Sequence, residues 1–266
     1  MMDGSLGHSE VQAGTITVPS NRVVILGALS AIAIATARIY AAEGAAILLA
    51  ARNAERLRGL ANDLRARGAA RVEMAVMDLE AASENAASHL ADWSKELGGI
   101  NHVLVIYGYL GSQDKASTDP AELARIVSSN FSSAVQWCEA AANFMRAQKH
   151  GSIVGVSSVA GDRGRQSNYA YGAAKGGFAL YLQGLAHSLA RSGARAVAVK
   201  PGFVDTPMTD GMNKDGALWA KPESIGQAIR RAADRGGPIQ YAPVLWRMIM
   251  LVIRSVPAFV FHKTKL

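Results

Sequence analysis

Seven short apolar runs, separated by stretches long enough for helices, constrain this chain more than any other feature of its sequence. They are Arg22–Leu26, Ile47–Ala51, Arg71–Met77, His102–Ile106, Ser152–Val156, Ala194–Val199 and Pro238–Ala242. Short apolar runs bounded by turn residues read as strands, the last of them at a sheet edge. Strands that alternate with helices join in parallel through crossovers, which specifies a single-domain, doubly wound α/β sheet with helices on both faces. A chain of 266 residues, half of them hydrophobic, is large enough for one such core. Ligands of these sheets sit beyond the carboxyl ends of the strands. The chemistry is therefore expected in the segments that follow the strands.

The segment after the fifth strand runs Ser157 to Lys175 and ends in Tyr171-Gly-Ala-Ala-Lys175. A spacing of i, i+4 puts the phenol and the ammonium on one helix face. A fixed cation stabilises the phenolate and draws the Tyr171 pKa toward the working range, making it a usable acid/base. Ser158 lies thirteen residues upstream, at the end of a strand. Tyr169 has Ala173 at its i+4 position and lacks the cation. Asn130 lies in an apolar helix expected from Pro120 to about Arg146, and Lys200-Pro-Gly-Phe-Val-Asp-Thr206 follows the sixth strand. Together these residues resemble the short-chain dehydrogenase/reductase family, from about Asn21 to the C-terminus.

The resemblance implies a Rossmann-type reductase in which Ser158, Tyr171, Lys175 and Asn130 carry the reaction. Asn130 would hold a water linked to Lys175, although an Asn bonded to nearby backbone fits the local sequence equally well. Gly27-Ala-Leu-Ser-Ala-Ile-Ala33 forms the turn into an Ala-rich helix, whose N-terminus suits a pyrophosphate. Gly27, Ser30, Ala31 and Ile32 are the expected contacts. The family's turn has the order Gly-x-x-x-Gly-x-Gly, and here Ala31 and Ala33 replace two of the glycines, each methyl narrowing the gap between backbone and phosphate. Arg52 stands where NAD-preferring folds carry an acid, so NADP(H) is favoured over NAD(H). The alternative is a solvated loop charge.

Asp78 and Leu79 are expected near the adenine. Of the family's Asn-Asn-Ala-Gly motif only Gly108 matches, in Tyr107-Gly108-Tyr-Leu-Gly111. Pro201, Gly202, Val204 and Thr206 would pass the nicotinamide, with Tyr171 and Lys175 holding its ribose side. Residues from Asp210 to Ala220 have no period and read as a substrate lid. Arg163 and Arg165, close to the substrate mouth, either clamp an anionic group or are simply solvated. A homo-oligomer through the helices bearing Asn130 and Tyr171 is a further implication of the family.

The net charge of +7 is scattered, without basic runs interleaved with aromatics and without zinc-ligand spacing. Neither nucleic acid nor a metal is expected. The single cysteine, Cys138, reads as a buried thiol in a reducing compartment. Residues 1–20 are polar and aperiodic, an extension without the marks of a signal peptide, so a cytoplasmic location is expected, with peripheral membrane contact as an option.

That option rests on residues 243–266, an apolar segment with five Arg, Lys or His residues and no acid. Its uninterrupted run from Met248 to Ile253 is far short of the ~20 residues a span needs, and Pro257 breaks it. Either it packs on the body or on a subunit, or it lies in a membrane interface. In the second case Trp246, Phe259 and Phe261 insert while Arg247, Arg254, Lys263 and Lys265 face phosphates. Tyr107–Gly111, Ser157–Arg165, Lys200-Pro-Gly and this tail together resemble decaprenylphosphoryl keto-pentose reductases. That resemblance implies a polyprenyl-phosphate-linked keto-sugar as substrate. The alternatives are a soluble carbonyl such as a 3-oxoacyl thioester or free sugar, or a nucleotide-binding protein without catalysis.

Overall fold

The computed structural model describes residues 21–211, 213–216 and 218–264. The extension expected over 1–20, part of the expected lid (212 and 217) and Lys265 lie outside the described residues. In chain order the elements are β1 Arg22–Leu26, α1 Ala31–Ala42, β2 Ala46–Ala51, α2 Ala54–Ala66, β3 Arg71–Val76, α3 Ala86–Leu97, β4 His102–Val105, α4 Gln113–Ala116 and α5 Pro120–Val127. They continue with α6 Ser133–Gln148, β5 Gly151–Val156, α7 Tyr169–Leu189, β6 Ala194–Pro201, β7 Phe203–Val204, β8 Trp219–Ala220, α8 Pro222–Arg235, β9 Ile239–Ala242, α9 Leu245–Ser255 and α10 Ala258–Phe261.

The main sheet has the order β3-β2-β1-β4-β5-β6-β9, and all its neighbours are parallel. The order reverses between β1 and β4, which makes that junction the expected ligand crevice. Side chains alternate between two cores, as the two-residue period of a strand requires. Val23, Ile25, Ile47 and Leu49 face Tyr40, Leu57 and Ile229 of α1, α2 and α8. Val24, Leu26, Leu48 and Val103 face Leu90, Trp137 and Phe178 of α3, α6 and α7. Cys138 is buried in this second core, where loss of solvation pushes its thiol pKa up and keeps it protonated.

Two expected elements differ. The helix of Pro120 to Arg146 is interrupted by a π-turn over Ser128–Ser132, which contains Asn130. π-Turns inside helices mark functional sites more often than chance. The expected lid region holds a short strand, β8, paired with β7. Among the described residues no helix is long and apolar enough to cross a membrane.

Candidate active site

Helix α7 crosses the short 3-10 turn Val159–Asp162, which follows β5, at an unusually close distance, and small residues make this possible. A Cβ on Gly161 would lie 2.5 Å from the Gly176 nitrogen, and one on Gly172 would lie 2.8 Å from the Ala160 carbonyl oxygen. The Ser157 hydroxyl adds a 2.7 Å hydrogen bond to the Lys175 carbonyl. This crossing brings Tyr171 and Lys175 to Ser158, whose hydroxyl accepts a 3.1 Å bond from the Ala160 N–H. Tyr171, Lys175 and Ser158 all line one cleft of about 560 Å³ at the carboxyl ends of the strands.

The electrostatics depart from the expectation. Burial pushes the Tyr171 phenol up to about 12, and only a hydrogen bond with Ser158 opposes this. The Lys175 ammonium does not draw it down. Its bonds go to the carbonyls of Val156 at 3.0 Å and Tyr107 at 3.4 Å, and burial lowers its own pKa to about 8. Tyr171 is therefore held in its protonated, donor form.

Asn130 is completely buried and is the single expected site residue that does not line the cleft. Its amide donates to the carbonyls of Ile126 at 2.8 Å and Tyr109 at 2.6 Å, and its oxygen accepts from the Tyr109 N–H at 3.2 Å. The side chain thus bonds backbone, the simpler of its two expected uses. Gly108 explains its own presence here: a Cβ would lie 2.5 Å from the Asn130 Oδ1 and 3.0 Å from the Lys175 Nζ. Tyr169 bonds Ser117 at 3.0 Å, away from the cleft.

At the other end of the cleft the turn after β1 is held by Gly27. Its φ of +84° and the 2.6 Å to Tyr107 that a Cβ would have exclude other residues. Ser30 caps α1, accepting from the Ala33 N–H at 3.2 Å and donating to the Ile106 carbonyl at 3.1 Å. Ala31 and Ile32, whose N–H groups have no intrahelical acceptor, line the cleft. The two lost glycines separate here. Ala33 is buried in the core and its methyl fills that core, so only Ala31 bears on the space for a phosphate.

Arg52, Asp78 and Leu79 line the same end of the cleft, with Arg52 4.0 Å from the Asp78 carboxylate. Asp78 also accepts from the Glu80 N–H at 2.9 Å. Arg56, which the sequence reading missed, stands there too, its guanidinium making a 3.5 Å contact to the Leu29 carbonyl. The available signal was its place in the first turn of α2, just after the Arg52-Asn53 that follows β2.

Pro201, Gly202, Val204 and Thr206 complete the wall after β6. Trp246 of α9 seats on Gly202, where a Cβ would lie 1.8 Å from the indole nitrogen. Phe203 lies between Trp219 and Trp246, 5.3 Å from each ring centre. This corrects the membrane-inserted set: Trp246 and Phe261 are buried against the body, while Phe259 is 72% exposed. The C-terminal segment thus packs behind the cleft, with Trp246 backing Gly202 of its wall.

The comparisons with known proteins agree with this architecture. A family model described as short chain dehydrogenase matches residues 21–217. The chain is 38% identical over 244 residues to an uncharacterized oxidoreductase, Rv2073c, of Mycobacterium tuberculosis, covering 91% of this chain and 96% of that protein. It is 32% identical to an uncharacterized oxidoreductase of Streptomyces coelicolor, covering 92% and 96%. Among solved structures, a putative short-chain alcohol dehydrogenase from Sinorhizobium meliloti superposes with a TM-score of 0.76 at 25% identity, covering 85% of this chain and 97% of that one. Actinorhodin polyketide ketoreductase with NADPH gives 0.76 at 20%, covering 86% and 98%, a likeness of fold. A parallel sheet in this order, a nucleotide-type turn after its first strand and sequence relatives along nearly the whole chain have one common explanation: the protein is a member of the short-chain dehydrogenase family, an NAD(P)-dependent oxidoreductase.

Proposed function

We propose that the protein is an NADP(H)-dependent reductase that converts a ketone to a secondary alcohol. The observation that carries this reading is the convergence of Ser158, Tyr171 and Lys175 on one cleft wall beside the turn after β1. In this reading Ser158 binds the carbonyl oxygen and the protonated Tyr171 phenol donates to it as charge develops there. Lys175, held by the Val156 and Tyr107 carbonyls, binds the nicotinamide ribose, and the Ser158 hydroxyl is the group that stabilises the phenolate left behind. Asn130 fixes the Gly108–Tyr109 backbone against Lys175. The cofactor, when bound, supplies the hydride that no side chain can provide.

The cleft fits such a cofactor, because the open first turn of α1 and the lightly bonded Arg52 and Arg56 offer sites for its phosphates. Gly27, Ser30, Ala31, Ile32, Asp78, Leu79, Gly108, Pro201, Gly202, Val204 and Thr206 complete its binding surface in this reading. NADPH is expected to bind about thirtyfold more tightly than NADH, and the double variant Arg52→Ala/Arg56→Ala to lose that margin. Titration followed by nicotinamide fluorescence, together with consumption of NADPH in the presence of ketones, checks both statements. Equal binding of the two cofactors would overturn the NADP assignment, and binding without reduction of any ketone in a broad panel would favour a non-catalytic protein.

For the substrate, the exposed face of the C-terminal segment favours a ketone presented at a lipid surface, such as a polyprenyl-phosphate-linked keto-sugar. Val244, Leu251, Val252 and Phe259 are 75%, 57%, 65% and 72% exposed, and Arg247, Arg254 and Lys263 are exposed among them without an acid in the segment. Each basic residue near an anionic surface contributes about 1 kcal/mol, and the apolar side chains add burial. Removing the whole segment would take away the buried Trp246 and Met250 and uncover Val159 and Phe203 beneath them, so surface substitutions make the cleaner test. The intact protein should sediment with vesicles containing anionic lipid at low salt, and Val252→Asp/Phe259→Asp should remain in solution with unchanged melting. A wild-type chain that ignores such vesicles returns the choice to a soluble ketone.

A further inference from the structure

The loop between Ser158 and Tyr171 carries two arginines that the structure separates by what they touch. Arg163 donates to the carbonyls of Ile253 and Val256 at the end of α9, and its guanidinium stacks 3.8 Å over Phe261. It is a structural clamp on the C-terminal segment. Arg165 has no comparable partners. One Nη contacts the Met250 sulfur at 3.8 Å, and its Nε is shielded from solvent with no hydrogen-bond partner among the described residues.

Asp162, three residues before it, is engaged elsewhere. Asp162 is already held by Lys200 at 2.5 Å and by the Tyr241 hydroxyl at 2.7 Å. Asn168 is closed into the same turn by a 3.3 Å bond from its N–H to the Arg165 carbonyl, and its Oδ1 is likewise shielded and unpartnered. Both residues line the cleft beside Ser158 and Tyr171. The half-buried Arg165 thus lines the cleft with a guanidinium that no carboxylate among the described residues holds, and a ligand anion there would find an unneutralised charge.

We propose that Arg165, beside Asn168, forms a substrate-recognition subsite for an anionic group, a phosphate or carboxylate, carried by the ketone. Arg165 pairs with the anion through the Nη groups of its guanidinium. This subsite is distinct from the place of Arg52 and Arg56. Those follow β2, while the loop follows β5, three strand spacings or about 14 Å away. The inference rests on the reading of the cleft as a ketone-reducing site, and it assigns that site a charged substrate class.

Two probe pairs test it: dihydroxyacetone phosphate against dihydroxyacetone, and levulinate against its methyl ester. Binding is measured by calorimetry on full-length protein loaded with NADP+, so that no turnover is required, and reduction is measured separately with NADPH. At least one charged probe should bind wild type about thirtyfold more tightly than its neutral partner. Arg165→Gln should remove that margin while leaving neutral probes within threefold, with the loss appearing in KM rather than kcat, and Arg165→Lys should restore part of it. The pair that shows the margin identifies phosphate or carboxylate. Equal binding of charged and neutral probes by wild type, or an equal loss for both in Arg165→Gln, overturns the proposal. A charge margin in calorimetry without any reduction leaves the subsite standing and removes the reductase reading, whereas reduction without a charge margin does the reverse.

Discussion

Replacing Tyr171 by Phe is expected to lower the turnover of ketone reduction by about 10³- to 10⁴-fold, while NADPH binding and melting temperature stay close to wild type. The substitution deletes one hydroxyl at the cleft face and leaves the ring that packs beside Ala170 and Ile126. No neighbour can take over the proton. The Lys175 ammonium is held by the Val156 and Tyr107 carbonyls, the Tyr109 hydroxyl donates to Glu122 at 2.9 Å, and the Tyr107 hydroxyl pairs with Ser133 at 3.0 Å. Ser158 remains, but an alkanol is a far weaker acid than a phenol. Single-turnover kinetics on protein verified by fluorescence titration separate loss of chemistry from loss of cofactor. Near-normal rates in Tyr171→Phe would remove this residue from the mechanism.

Gly161→Ala should cost about 3 kcal/mol of stability, a fall in Tm of roughly 8 °C, and should also depress activity in the protein that remains folded. The new methyl would stand 2.5 Å from the Gly176 nitrogen, 2.7 Å from its Cα and 2.9 Å from the Lys175 carbonyl carbon. All three are helix backbone, which cannot rotate away as a side chain would. Helix α7 must retreat, and Tyr171 and Lys175 retreat with it from Ser158. Gly164→Ala, three residues further along the same loop, meets nothing within 4 Å and should stay within about 0.5 kcal/mol of wild type. Thermal melts of the two variants side by side decide the matter. Equal melting temperatures would mean that the crossing does not depend on the missing side chain.

The alternation of strand and helix, the parallel sheet and the shared face of Tyr171 and Lys175 were legible in the amino-acid sequence because each follows from local periodicity, while Ser158 joined them through its place at a strand end and the family resemblance. A strand buried on both faces is a short apolar run, and two residues four apart on a helix share a face wherever that helix packs. The tertiary structure alone decided matters that depend on partners distant in the chain. The sequence does not distinguish Arg163 from Arg165, yet one holds the end of α9 and the other opens on the cleft. Ala31 and Ala33 read as equal losses until the helix is laid on the sheet, when one proves to be core and the other cleft wall. Trp246 has the signature of a membrane anchor but fills the space above Gly202, and Asn130 finds its acceptors in a loop twenty-one residues upstream as well as in its own helix. The reason is common to all of these. Periodicity determines which face of an element is apolar, whereas the partner of a charged, polar or aromatic side chain depends on which remote backbone the fold carries to within hydrogen-bond or van der Waals distance.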